Sequence, residues 1–226
     1  MLIIFDADGV LLDSEIVAAK VETEAFRQHG FDRDPQDFVR EFAGLPGSEI
    51  KSRIEEELGK NLPDDLLDQI ERTIDERLAK DVKAIEGVED MLDSLDDPRC
   101  VCSNSPTERL EATFRKTALF DRFRPYIFSA ISIEDVEPKP APDIFLHAAR
   151  ELETDPGDCI VIEDSVHGVA GAIAAGMRVI GFVGGSHSFT GHSELLMEAG
   201  AETVARRLSE IAPIIEAMKV WDGRDL

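Results

Sequence analysis

Asp6 and Asp8 stand one residue apart, with Gly9 directly after them and the apolar run Leu2-Ile3-Ile4-Phe5 directly before. So short an apolar run, stopped by polar residues and glycine, suits a strand buried on both faces. Two carboxylates where such a strand ends are costly unless their charge is offset. A hard divalent cation offsets it, and Mg²⁺ takes one or two carboxylates together with substrate phosphate oxygens. On these residues alone an Asp-Gly turn explains the pattern equally well, so the decision falls to the rest of the chain.

Other polar residues stand at comparable points. Arg99 to Ser103 reads as a second buried strand, leading into Ser103-Asn104-Ser105. Tyr126 to Ala130 reads as a third, and Lys139 follows it within EPKPAPD. Cys159 to Ile162 reads as a fourth, ending in Glu163-Asp164. Each has an ordinary explanation: a cap hydroxyl, a solvated lysine between prolines, an acidic helix start. In a parallel sheet, however, ligands bind at the carboxyl ends of strands, and all these residues fall at that one edge. Asp6, Asp8 and Asp164 suit one Mg²⁺, which would screen the repulsion between an anionic substrate and a carboxylate nucleophile. Ser103 and nearby backbone N–H groups suit a phosphoryl group, and Lys139 keeps the carboxylates ionised.

The elements that must place these residues follow from periodicity. Ser14 is expected to cap a helix from Glu15, with Val17, Val21, Ala25 and Phe26 on one face and a stop at Gly30. Asp34-Pro35 opens a second helix carrying Phe38, Val39 and Phe42; Gly44 to Gly47 is a loop. Ile50, Ile54 and Leu58 mark a third helix ending at Gly59. Pro63 is expected in the first turn of a fourth, whose stripe is Leu66, Leu67, Ile70, Ile74 and Leu78. No strand signal interrupts Glu15 to about Lys80. From Ile85 helices alternate with strands, including a fifth strand at Arg178–Val183 and an edge strand near Thr203-Val204. In the helix after Asp164, Val166, Val169, Ala170 and Ile173 are expected to face inward. Such alternation implies right-handed βαβ units and a mostly parallel sheet. The expected fold is α/β: a Rossmann-like parallel-sheet core of residues 1–14 and 83–226, with an all-helical cap, 15–82, inserted after the first strand.

Composition narrows the function. The 226 residues carry a formal net charge of −23, which argues against a nucleic-acid partner. No apolar run approaches the roughly 20 residues of a membrane span, and the N-terminus has neither a basic region nor an apolar signal segment. Cys100, Cys102 and Cys159 read as buried free thiols of a reducing compartment. A cytoplasmic protein, monomeric or homodimeric, is the expectation.

FDADGVLLDS, the strand ending in SNS, KPAPD, and IEDSVHGVAGAIAAGM together resemble the four ordered motifs of haloacid dehalogenase-like hydrolases. The resemblance spans Leu2 to about Gly184, and the helical insert is similar to the cap of the subgroup containing β-phosphoglucomutase and small sugar-phosphate phosphatases. It implies that Asp6 is the nucleophile forming an aspartyl-phosphate. Asp8 would be general acid and then base, and would offer the metal its backbone carbonyl. Ser103, Asn104 and Lys139 would hold the phosphoryl group, and Asp164 would ligate Mg²⁺ with Glu163 as a ligand or just behind it. Cap residues around Gly44 and Ser48 would face the substrate. Other residues take plainer readings. Asp13 and Ser14 organise the hinge into the cap. Gly168, Gly171 and Gly176 serve close helix packing and a helix stop. His167 is a surface or packing residue. His187 and His192 read as part of a solvated loop, the alternative being that they reach the mouth of the site, and Trp221 packs.

The implied function is a Mg²⁺-dependent phosphatase acting on a small phosphorylated metabolite, a sugar or sugar-acid phosphate. A β-phosphoglucomutase-like mutase is the alternative. It requires a second phosphate grip, and no lysine follows Ser105 directly and no arginine lies between Gly44 and Ser48. A phosphonatase would need a desolvated cap amine, for which Lys20 is the candidate by position. A non-catalytic binding protein has no use for so many costly charges.

Overall fold

The computed structural model describes residues 1–42 and 45–220. Strand β1 (Leu2–Phe5) leads into four helices, α1 (Glu15–Arg27), α2 (Pro35–Phe42), α3 (Gly47–Leu58) and α4 (Leu66–Asp81). The chain then alternates: α5 (Val88–Asp93), β2 (Arg99–Ser103), α6 (Thr107–Lys116), α7 (Phe120–Phe123), β3 (Ile127–Ser129), α8 (Asp143–Glu151), β4 (Cys159–Glu163), α9 (Val166–Ala174), β5 (Arg178–Phe182), α10 (His192–Ala199), β6 (Thr203–Ala205) and α11 (Ile211–Val220). The six strands form one parallel sheet in the order β3-β2-β1-β4-β5-β6. The fold class is therefore the expected one, α/β with a helical insert after β1.

The strand order reverses direction between β1 and β4, and that crevice is where doubly wound sheets bind ligands. Register brings the key residues level: Phe5 is opposite Ile162 on one side and Val101 on the other. Continued by one residue, that register sets Asp6 beside Glu163, with Asp164 the next residue along. All four residues of β1 are fully buried, as a central strand sandwiched by helices must be. Ile3, Phe5, Val101, Ile160 and Ile162 line one face of the sheet, in a core continuous with the cap. Leu2, Ile4, Cys100, Cys102 and Val161 line the other, under Ile144 and Phe145 of α8 and Val169 and Ala172 of α9. The three cysteines are free and buried, as expected.

The cap has its own aromatic centre. Phe26, Phe31, Phe38 and Phe42 pack ring to ring, the closest pair being Phe38 and Phe42 at 4.8 Å. Two chain crossings join cap to core, and they run antiparallel: Leu12 bridges Ala84, Ile85 N–H donates to Leu11 C=O at 3.0 Å, and Asp13 N–H donates to Lys83 C=O at 2.9 Å. The hinge is thus a short two-stranded ribbon.

Several local expectations change. Ser14 makes no side-chain cap for α1, because its hydroxyl is engaged with Asp8. Pro63 lies in the turn before α4 rather than in its first turn, accepting from Leu66 N–H, and Asp65 takes the cap position. Gly30 follows the C-cap residue Gln28 by two residues, with φ +98°. Val166 and Ile173 of α9 are each 41% exposed, not inward. That helix is apolar nearly all round, so periodicity could not orient it. It buries instead the face carrying Gly168, Val169, Gly171 and Ala172, where small residues let it approach closely. Trp221 and Gly44 lie outside the described residues.

Candidate active site

Lys139 sits at the centre of the carboxylate group. Its Nζ donates to Asp6 Oδ1 at 2.5 Å, to Glu163 Oε1 at 2.7 Å and to the Cys102 carbonyl at 2.7 Å. All three of its donors are used, inside a site where Lys139, Asp6 and Glu163 are buried. Burial opposes the lysine's charge, but Asp6 and Glu163 outweigh burial and hold it well above the usual lysine range. Asp6 also moves up. Burial is the largest cause, Lys139 pulls against it, and Glu163, Asp164 and Asp8 add to it. Both directions follow from one fact: a single ammonium faces more than one buried carboxylate.

The loop that carries Lys139 is fixed by Asn104. Its amide donates to the Lys139 carbonyl at 3.1 Å and accepts from the Lys139 N–H at 2.9 Å. Asn104, expected to touch the phosphoryl group, is thus committed to aligning Lys139. Glu163 is equally committed: Oε2 accepts from the Ser165 N–H and hydroxyl, both at 3.0 Å, while Oε1 takes Lys139. Ser165 in turn caps α9 by accepting from Gly168 N–H at 2.9 Å. Gly168 serves more than helix packing. A Cβ there would lie 1.8 Å from Glu163 Oε1, so the glycine makes the space the carboxylate occupies. Gly171 does serve close packing, against the carbonyls of Pro140 and Ala141.

Asp8 turns toward hydroxyls. Its carboxylate accepts from Ser14 at 2.6 Å, Ser105 at 2.7 Å and, more weakly, Ser103 at 3.4 Å. The cluster of carboxylate oxygens within 4.8 Å of one another therefore comprises Asp6, Glu163 and Asp164, among the described residues. Of the expected Asp6, Asp8 and Asp164, the Asp8 side chain lies outside this group, engaged by serines. Gly9 makes the turn possible. Its φ is +80°, and a Cβ would come 1.9 Å from Asp164 Oδ2. The donor set fits a divalent cation, since hard oxygen ligands converge with an excess of negative charge that Lys139 alone does not balance.

The loop after β5 departs most from expectation. His187 and His192 are both buried. His187 Nε2 lies 2.9 Å from Asp164 Oδ2, within ion-pair reach but off the line of a well-formed hydrogen bond. His192 Nε2 contacts the Asp164 backbone carbonyl at 2.7 Å, and its ring stacks on Phe189 at 4.8 Å. Burial lowers the His187 pKa, yet Asp164, Glu15 and Asp13 outweigh it and the net shift is upward. Glu15, the first residue of α1, is also pushed up: the surrounding protein is the largest cause, followed by Asp8 and Asp164. No periodicity marks a loop residue as buried, so the histidines' only signal was their chemistry. Ser48 is exposed in the first turn of α3, and Lys20 is exposed on α1, without the desolvation a Schiff-base amine would need.

The sequence profile of haloacid dehalogenase-like hydrolases matches residues 1–176. A 6-phosphogluconate phosphatase of Escherichia coli (strain K12) is 30% identical over 187 residues, 82% of this chain and 84% of that protein. A haloacid dehalogenase-like protein from Agrobacterium tumefaciens str. C58 superposes with TM-score 0.93 at 45% identity, over 96% of this chain and 98% of the other. A hydrolase of the same family from Deinococcus radiodurans R1, crystallised with bound phosphate and sodium, has TM-score 0.82 at 30% identity, over 96% and 95%. Among the described residues no helix is long and apolar enough to cross a membrane. With these matches spanning both the sheet that carries the buried carboxylates and the helical insert above it, the chain belongs to the haloacid dehalogenase-like hydrolases.

Proposed function

We propose that the protein is a Mg²⁺-dependent phosphatase that hydrolyses a small phosphorylated metabolite, a sugar or sugar-acid phosphate, through an aspartyl-phosphate on Asp6. The observation that carries this reading is Asp6 itself, a buried carboxylate held at one oxygen by Lys139 in a cluster with Asp164. A bound divalent cation, held by Asp6, Asp164 and the Asp8 backbone carbonyl, would supply charge that draws the phosphate in and screens it from the carboxylate. Glu163, with both oxygens engaged, stands behind as the partner of Lys139.

In the first half-reaction an Asp6 oxygen bonds to phosphorus as the bond to the leaving oxygen breaks, and Asp8 gives that oxygen a proton. In the second, Asp8 takes a proton from water, the water oxygen bonds to phosphorus, and the Asp6–phosphorus bond breaks to release inorganic phosphate. Ser14 and Ser105 fix the Asp8 carboxyl, holding it ready to serve a departing oxygen. Lys139 keeps Asp6 from moving and balances charge as the phosphoryl group arrives, and Ser103 donates to it. The sugar-acid class is supported by the 6-phosphogluconate phosphatase among the relatives. The mutase alternative would need a second phosphate grip, and Arg40 and Arg53 pair with Asp37 and Glu49 at the cap surface.

The test is a Mg²⁺-dependent phosphate-release screen over sugar phosphates, sugar-acid phosphates, polyol phosphates and nucleotides. Selective release from one of the first two classes is expected. Asp6→Asn is expected to reduce it about a thousandfold or more, and EDTA to abolish it. Substantial turnover by Asp6→Asn would overturn the covalent route, and indifference to EDTA would remove the metal.

A further inference from the structure

The segment joining β5 to α10 runs back over the carboxylate edge of the sheet. At Gly185 a Cβ would lie 2.6 Å from the His187 ring and 3.0 Å from the Gly9 carbonyl, so this strap presses directly on the turn after β1. Two side chains fasten it. Asp13, in the hinge ribbon, accepts from the Ser186 N–H at 3.0 Å with one oxygen and from the Ser186 hydroxyl with the other. The next residue, His187, places Nε2 2.9 Å from Asp164 Oδ2. Its ring is buried, with its Nδ1 unpartnered among the described residues. On the far side His192 Nε2 meets the Asp164 carbonyl. Asp164 is therefore braced at its side chain by the strap and at its backbone by the first residue of α10, and the strap is anchored to the hinge.

We propose that Asp13, Ser186 and His187 form a positioning relay that sets the Asp164 carboxylate for a divalent cation and ties that setting to the cap hinge. The inference rests on the metal-dependent reading of the site. His187 is a positioning residue. An imidazole in contact with Oδ2 restricts the rotamers open to the carboxylate that clusters with Asp6 and Glu163. Groups that orient a ligating carboxylate commonly govern metal affinity by tenfold or more. Asp13 acts one step further out. It holds Ser186, and thereby the turn that delivers His187, so its loss should loosen the same carboxylate without touching it. Because Asp13 N–H also bonds Lys83 C=O across the hinge, a shift of the ribbon reaches Asp164 through two residues.

The experiment measures Mn²⁺ binding to the metal-free full-length protein by the loss of the free-ion EPR signal. Its variants are Asp164→Ala, His187→Ala, His187→Gln, Asp13→Ala and the double variant Asp13→Ala/His187→Ala. His187→Ala is expected to raise Kd about tenfold, and His187→Gln, whose amide nitrogen reaches the same point as Nε2, to recover most of it. Asp13→Ala is expected to raise Kd severalfold, and the double variant to be no weaker than His187→Ala alone, since Asp13 acts through His187. At saturating Mn²⁺, kcat of His187→Ala should return toward wild type. If wild type binds Mn²⁺, Asp164→Ala abolishes binding and His187→Ala binds within twofold of wild type, the relay is wrong and the metal site stands. Additive effects in the double variant would also overturn the relay. Absence of Mn²⁺ binding to wild type would overturn both readings.

Discussion

The positions with the most at stake are those where one atom decides whether a carboxylate can occupy its place. Gly168 is such a position. Alanine is the better helix former by about 1 kcal/mol, so on propensity alone Gly168→Ala in α9 should stabilise. The added Cβ would instead lie 1.8 Å from Glu163 Oε1, and Glu163 cannot retreat without abandoning Lys139 and Ser165. The expected outcome is a loss of about 1–3 kcal/mol, typical of overpacking, seen as a fall in Tm, together with a drop in kcat as Lys139 loses one of its anchors. A rise in Tm with unchanged kcat would show that the site tolerates a displaced Glu163. The residues of this site differed in how far their types announced them. Asp6, Asp8, Ser103, Lys139 and Asp164 stand out because charged and hydroxyl groups at buried strand ends need a reason. The pairing of Asn104 with the Lys139 backbone and the turning of Asp8 toward serines depend on side-chain directions that no spacing encodes. His187 and His192 sit where polar residues are ordinary, and only their burial against Asp164 distinguishes them.

At the scale of elements, the cap is held against the core by more than its hinge. Arg109 of α6 donates to Asp75 and Glu71 of α4, both at 2.6 Å, and its own side chain is largely buried. The two carboxylates are 53% and 62% exposed, so screening keeps the stabilisation below about 1 kcal/mol. That is too little to decide whether the protein folds and enough to bias an open–closed equilibrium of the cap. Arg109→Gln should therefore leave Tm nearly unchanged, speed hydrogen exchange in α4, and raise KM about two- to fivefold with kcat little altered, a lid effect. Salt at 0.5 M should move wild type in the same direction and the variant little. Equal salt responses in both would dissociate this contact from cap motion. The helices of the cap were readable because each has one apolar stripe, as Ile70, Ile74 and Leu78 of α4 show. Helix α9 was readable as a helix and not in its orientation, since apolar residues surround it and its buried face is the one with the smallest side chains. The order of the strands, with β1 between β2 and β4, depends on which neighbours the crossovers bring together, and the alternation of strands and helices does not encode it.

Over the whole molecule the charge is −23, and part of it is held where ionisation is unfavourable. Burial, followed by its acidic neighbours, raises the Asp6 carboxyl. Burial, followed by Glu71, pushes Glu22 of α1 up to about 7. Glu15 shifts the same way, damped by its openness to solvent. A carboxyl raised in the folded state keeps a proton that the unfolded chain releases above its ordinary value near 4–4.5. Folding then loses stability as pH rises from that value through the folded one. His187, also raised, adds to the fall, because its charged form is favoured by folding and is lost with rising pH. His192, lowered chiefly by burial, works in the opposite sense. The lowered surface carboxylates Glu55 and Glu194 act below this window. The metal-free protein should accordingly lose Tm between pH 5 and pH 8. Mg²⁺ competes with protons at its carboxylate ligands, so the Tm increment it confers should grow with pH. Glu22→Gln, outside the carboxylate cluster, supplies the control. It should flatten part of the metal-free slope and leave the Mg²⁺ increment at pH 8 intact. A Tm level across this range would mean that folding does not raise these carboxyls, and an increment that shrinks with pH would mean that protons and the cation do not compete.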